Sequence, residues 1–265
     1  MDLNLEGKKV VITGAGDGIG KELALKFAAE GALVSVCARN KDNLDRLENE
    51  ITGSGHVFVP CDLTDKSDLN LFYEKTLKAF NGLDVLINNV GGICKLAGFH
   101  DLEDEDWIQS FDLNLMPSIR LTRLFFPNLK ISKSPSIINI SSIAAIKPTE
   151  IFPHYSAMKA ALSNLTCSLA QTFAPDKIRV NAVSPGPVWS GSWEKEAQDT
   201  AESSGKDPSV MKEEIRSQTA QTVLLKRMGE PKDVAGLVLF LASDWASWIT
   251  ATNFTVDGGL LLDTI

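Results

Sequence analysis

The chain has 265 residues, is 44% hydrophobic and 23% charged, and carries a formal net charge of −8. That length suits one large α/β domain able to bury a sizeable core, and the acidic balance argues against a general nucleic-acid or anionic-membrane binder. The opening MDLNLEGKKV lacks the long apolar run and small-residue cleavage site of a secretory signal, and no stretch approaches the roughly 20 apolar residues of a membrane span.

Apolar runs at 9–13, 32–38, 56–61, 83–88, 136–141, 178–183 and 252–256 predict seven strands. Several are continuous rather than alternating, the pattern of strands covered on both faces. Helical periodicity lies between them, at about 18–30, 44–51, 66–80, 105–129, 155–174 and 231–242. This β-α-β-α rhythm predicts a single Rossmann-like, doubly wound α/β domain over 1–265, with a mostly parallel seven-stranded sheet and helices on both faces. Right-handed crossovers put the first three strands on one side of the sheet and the rest on the other. Within 105–129, Pro117 removes the donor for the Leu113 carbonyl, so a kink is expected beside Asn114. The polar stretch 190–225, with Gly205 and Pro208 near its middle, breaks the rhythm. Its length predicts a substrate-side lid of one or two short helices, mobile until ligand binds. Cys37, Cys61, Cys94 and Cys167 are far apart, with no CxxC pair. They read as reduced thiols of a cytoplasmic protein.

The first strand runs into T-G-A-G-D-G-I-G, Thr13 to Gly20, and a helix follows at once. Gly14 suits a tight turn, Gly18 a close approach of backbone to a diphosphate, and Gly20 close helix–sheet packing, while the helix N-terminus offers free N–H groups. The spacing differs from G-x-G-x-x-G, and a βα turn that binds nothing can use the same glycines. Tyr155 and Lys159 stand four residues apart and so share one helical face. A free tyrosine titrates near pH 10, and an ammonium one turn away favours the phenolate. Only Tyr73 and Tyr155 are available for such a role. Ser142 ends a strand, where the carboxyl ends of an open α/β sheet face the ligand crevice. His56, His100 and His154 have no metal-ligand spacing, so no metal is expected.

These motifs extend in order over nearly the whole chain: T-G-x-x-x-G-x-G, C-D-L-T, N-N-V-G, L-N-L, N-I-S-S, Y-S-A-M-K, P-G-P-V, R-M-G-E-P and V-D-G-G. Together they resemble the short-chain dehydrogenase/reductase family, in particular its 3-oxoacyl-carrier-protein-reductase-like members, with Val90 where the family has alanine. The resemblance implies a hydride transfer between NAD(P)(H) and a carbonyl or secondary alcohol, with Asn114, Ser142, Tyr155 and Lys159 as the catalytic set. It selects Ser142 over Ser141, makes Tyr155 the acid/base, and gives Asn114 a water that links Lys159 to solvent. It places the cofactor on Gly14, Asp17, Gly18, Ile19, Gly20, Arg39, Asp62, Leu63, Asn89, Lys159, Pro185, Gly186 and Val188, with Asp62 beside the adenine and the Pro185 turn beside the nicotinamide.

NADP(H) is the expected preference and NAD(H) a possibility. The second strand ends at Ala38, without the acidic residue that holds a ribose 2′-hydroxyl, and Arg39 and the neutral donor Asn40 follow. Asp17 counts against this, because some NADP-using relatives carry a basic residue there. The family also implies a homodimer or homotetramer through the helices at 105–129 and 155–174, the latter with Ala157, Ala161, Leu165 and Leu169 near one face. The small-molecule substrate would meet Ile93, Cys94, Ile143, Trp189 and Trp193, although the tryptophans serve equally as lid packing. Two other classes remain. A silent nucleotide-binding sensor would have lost Ser142, Tyr155 or Lys159, and none is lost. An epimerase or dehydratase of related fold would carry a larger C-terminal substrate region, whereas this sequence ends at residue 265, soon after Gly259.

Overall fold

The computed structural model describes residues 2–262. Seven strands form one sheet: β1 (Lys9–Thr13), β2 (Leu33–Ala38), β3 (Val57–Pro60), β4 (Val85–Asn88), β5 (Ser136–Ile140), β6 (Arg179–Pro185) and β7 (Asn253–Val256). Their order is β3-β2-β1-β4-β5-β6-β7. Each neighbouring pair is parallel, so the sheet is wholly parallel where the sequence predicts mostly parallel. The order reverses at β1, and the crevice between β1 and β4 is the switch point where such sheets bind ligands.

The helices are α1 (Gly18–Ala29), α2 (Lys41–Glu50), α3 (Lys66–Phe80), α4 (Asp104–Asn114), α5 (Met116–Lys130), α6 (Pro153–Phe173), α7 (Gly191–Ser204), α8 (Pro208–Thr222) and α9 (Pro231–Ala242). They cover both faces of the sheet. On one face Leu23 and Phe27 of α1, Leu44 and Leu47 of α2 and Val234 and Val238 of α9 pack on Val10, Ile12 and Val34. On the other, Leu69 and Phe72 of α3, Leu121 and Phe125 of α5 and Ala170 of α6 pack on Val11, Leu86 and Ile137. Burying one such large side chain contributes roughly 1.5–3 kcal/mol. The helix starts are set by local chemistry. Asp65 accepts from the Ser67 and Asp68 amides at the head of α3, and Glu230 and Asp233 form a reciprocal capping box on α9.

Two expectations are corrected. The stretch 105–129 is not one kinked helix. It is divided at Leu115, whose φ of −125° and ψ of −49° end α4 and open α5, with Pro117 in the first turn of α5 where a missing N–H costs nothing. The helix predicted from 44 begins at Lys41, because the Asn40 side chain accepts from the Asn43 amide and caps it. The stretch 190–225 holds two helices, α7 and α8, which share a small core of Ala197, Ala201, Met211 and Met228 with Trp189. Among the described residues all four cysteines are free thiols, no helix is long and apolar enough to cross a membrane, and no group of side chains could hold a metal ion.

Candidate active site

The glycine turn lies between β1 and α1. Gly14 has φ +66°, a conformation that costs other residues strain, and Asn89 after β4 braces it. The Asn89 side-chain amide donates to the Thr13 and Gly14 carbonyls at 2.8 and 3.1 Å, and the Thr13 hydroxyl accepts from the Asn89 and Val90 amides at 2.8 and 2.9 Å. A Cβ on Gly20 would lie 2.3 Å from the Gly14 carbonyl oxygen, so only glycine lets α1 start this close to the strand. The first backbone bond of α1 runs from the Lys21 amide to Asp17 O, leaving the amides of Gly18, Ile19 and Gly20 ahead of it. The first turn of α1 holds no acidic residue. This cradle fits an anionic diphosphate.

Around it stand the other residues the sequence points to. Arg39 is exposed just after β2, and no hydrogen bond or ion pair engages its guanidinium among the described residues. Asp62 accepts from the Thr64 amide and hydroxyl at 2.9 and 2.8 Å, which fixes the turn after β3, and Leu63 is buried beside it. Pro185 ends β6. The Gly186 amide donates to Val256 O at 2.9 Å, and a Cβ on Gly186 would meet Asp257 Cα at 2.7 Å. Val188 bridges to Gly229, and the Trp189 amide donates to Gly229 O at 2.8 Å.

The catalytic candidates converge at the carboxyl ends of β4 and β5. Lys159 is buried on α6 and donates from Nζ to Ile140 O at 2.9 Å. Asn114, fully buried at the end of α4, accepts from the Gly92 amide at 2.8 Å and donates to Gly92 O and Ser110 O at 3.1 Å each. A Cβ on Gly91 would sit 2.8 Å from both Asn114 Oδ1 and Lys159 Nζ, so the two polar groups meet over that glycine. The Lys159 Nζ lies 5.8 Å from the Tyr155 ring centroid.

Burial pushes the Tyr155 phenol up from its ordinary value, and the Ser142 hydroxyl beside it opposes the shift. Burial brings the Lys159 ammonium down to about 8. In the protein alone, loss of solvent therefore sets the direction for Tyr155, and the group that opposes it is Ser142 rather than Lys159. Ser142 accepts from the Ala144 amide at 3.1 Å, which orients its hydroxyl, while Ser141 is committed to Lys159 O and Ser163 Oγ. Ser141 is thus engaged within the core, whereas the Ser142 hydroxyl lies beside the Tyr155 phenol.

Three placements could not be read from the sequence. Trp189 and Trp193 stack at 6.3 Å, and Arg216 and Lys212 lie 4.8 and 5.4 Å from the Trp189 ring, so these tryptophans hold α7 and α8 together. Asp17 caps nothing on its own helix. Its Oδ2 accepts from the Gly191 amide at 2.6 Å. Ser190, two residues beyond Val188, comes against the glycine turn: its Cβ lies 3.1 Å from where a Cβ on Gly18 would stand. His154, next to Tyr155, turns away and is buried near Trp107 with both ring nitrogens unpartnered.

Residues 14–261 match the protein-family model described as enoyl-(acyl carrier protein) reductase. The chain is 34% identical over 262 residues to the 3-oxoacyl-[acyl-carrier-protein] reductase FabG of Thermotoga maritima, covering 98% of this chain and 100% of that one. L-sorbose reductase from Gluconobacter frateurii, solved with NADPH and L-sorbose, superposes with a TM-score of 0.91 at 30% identity over 99% of this chain and 100% of that one. A 7α-hydroxysteroid dehydrogenase, solved with NADH and 7-oxo glycochenodeoxycholic acid, superposes with a TM-score of 0.84 at 32% identity over 97% of this chain and 96% of that one.

Proposed function

The chain belongs to the short-chain dehydrogenase/reductase family, and from that premise we propose that it moves a hydride between a nicotinamide dinucleotide, NADP(H) in preference to NAD(H), and a carbonyl or secondary alcohol, with Tyr155 as acid/base. The observation that carries the reading is the convergence of Ser142, Tyr155, Lys159 and Asn114 at the strand ends beside a glycine cradle suited to diphosphate. When bound, the dinucleotide supplies or accepts the hydride, and its oxidised ring adds a positive charge that favours phenolate. The amides of Gly18, Ile19 and Gly20 hold the diphosphate, Arg39 the 2′-phosphate, Asp62 and Leu63 the adenine side, and Pro185, Gly186 and Val188 the nicotinamide side. Ser142 donates to the substrate oxygen and stabilises the charge that develops there. Tyr155 gives that oxygen its proton in reduction and takes it back in oxidation. Lys159 holds the phenol's electrostatics, and Asn114 lines a proton path from Lys159 past Gly91.

The relatives act on sugars, steroids and acyl chains, so the substrate class is best found by assay. A panel of ketones and secondary alcohols, followed at the nicotinamide absorbance with both cofactors, should give turnover for at least one pair; failure across aliphatic, cyclic and sugar substrates would refute the oxidoreductase reading. The same assay carries a pH expectation. Lys159 keeps its proton below about 8 and loses it above. Reduction, which needs a protonated Tyr155 beside a charged Lys159, is therefore level below that point. Above it kcat/KM falls, approaching roughly tenfold per pH unit. A profile that rises through pH 8 in the reductive direction would contradict this.

The homo-oligomer is supported by an apolar groove between α5 and α6, about 230 Å³, lined by Ile119, Phe126, Leu165, Leu169 and Phe173 with Arg123 at its rim. An apolar helix face of this kind suits a C₂ pair, single or doubled to a tetramer. Light scattering at micromolar concentration should give a dimer or tetramer mass. A monomer mass would reject the assignment.

A further inference from the structure

Asp17 stands in the glycine turn at a point where a carboxylate faces an unfavourable neighbour, the diphosphate expected on the same turn. Its side chain is not spent on α1, which it precedes. It crosses to the lid, where Oδ2 accepts from the Gly191 amide at 2.6 Å, a bond between residues 174 positions apart. Gly191 is the first residue of α7. The residue that should cap α7 locally, Ser190, makes no cap bond and pairs its hydroxyl with Ser192 instead. The helix is therefore capped from outside, by a carboxylate on its positive end. The fit is close on both sides. A Cβ on Gly191 would lie 2.1 Å from Asp17 Oδ2, and Ser190 Cβ lies 3.1 Å from the Cβ position of Gly18. Only glycine at 191 leaves room for the carboxylate.

We propose that Asp17 is a positioning residue that latches the first turn of α7, and with it the 190–225 lid, onto the cofactor-binding turn. This rests on the reading of 190–225 as the substrate-side lid. Through the latch, the turn that receives the dinucleotide also sets where the lid begins, so Asp17 acts on substrate binding without touching substrate. The latch also gives the Asp17 charge a partner of its own, the amide end of α7.

The test uses the full-length protein with Asp17→Ala, Asp17→Asn, Gly191→Ala and the Asp17→Ala/Gly191→Ala pair. Hydrogen exchange of the first-turn amides of α7, and limited proteolysis near 203–207, read the latch without any turnover. Loss of a helix cap should speed both by roughly 2- to 30-fold in either single variant. The pair should be no faster than the singles, because both remove one interaction. Asp17→Asn, whose amide oxygen can still accept from Gly191, should recover most of the protection. Substrate KM should rise by a similar factor in Asp17→Ala, and by more than kcat falls. Unchanged exchange and cleavage in Asp17→Ala would overturn the latch. So would a change in cofactor affinity with no change in α7, which would make Asp17 an electrostatic neighbour of the diphosphate only. Absence of turnover with every substrate would sink the oxidoreductase reading and leave the exchange result to decide the latch.

Discussion

Replacing Tyr155 with phenylalanine is expected to lower turnover by roughly 10²- to 10⁴-fold, the usual contribution of a positioned acid or base. The substitution deletes one hydroxyl and keeps the ring. That ring makes an edge contact with Phe152 at 5.8 Å and faces the Lys159 ammonium, so α6 should keep its place. The cofactor cradle lies on other elements, β1, α1 and the turn after β4, so cofactor affinity should change little. The effect then belongs to the chemical step. Burial, which raises the phenol, keeps Tyr155 protonated at neutral pH and ready as the acid of carbonyl reduction. Single-turnover measurement of nicotinamide oxidation isolates that step from product release. A variant retaining more than about a tenth of the wild-type single-turnover rate would remove Tyr155 from the mechanism.

Arg39→Ala is expected to abolish most of the cofactor preference. A guanidinium held to a phosphate by charge-assisted bonds corresponds to roughly a 10- to 150-fold advantage in kcat/KM for NADPH over NADH. The site favours this reading on three counts. β2 ends at Ala38, so no carboxylate is there to repel a phosphate. Arg39 has no partner among the described residues and is free to turn to a ligand. Asp17, whose charge stood against the preference, is bonded to Gly191. The variant should lose NADPH efficiency by that factor, and NADH efficiency should move by no more than about twofold. Wild-type preference for NADH, or an equal loss with both cofactors in Arg39→Ala, would reverse the assignment. Because Arg39 is exposed, the advantage should shrink as salt is raised.

The patterns that the sequence shows most clearly are those set by near neighbours. Continuous apolar runs such as 10–12 reveal a strand covered on both faces because the side chains themselves carry the information. The glycines of Thr13 to Gly20 reveal a tight βα turn because a missing Cβ is a local property. The i and i+4 spacing of Tyr155 and Lys159 puts them on one helical face wherever α6 happens to lie. From such signals the division of the sheet into its first three strands and the rest, the doubly wound architecture and the family resemblance followed.

Long-range contact decided the rest. Pro117 announced a disturbance near Asn114, but the division at Leu115 and the bonds from Asn114 to Gly92 depend on how α4 meets the loop after β4. In the protein alone the Tyr155 phenol is pushed upward, because helical spacing reports proximity and says nothing of solvent, and burial is a property of the assembled core. Trp189 and Trp193 could equally have lined the cleft until α8 supplied Lys212 and Arg216 to the Trp189 ring. Asp17 reads in sequence as a charge in a phosphate turn, and only the approach of α7, 174 residues later, gives it a partner. Local chemistry therefore determined which elements form and which residues are candidates for the chemistry, while the partners and environments of those residues were set by chain closure, which places distant segments within hydrogen-bonding reach.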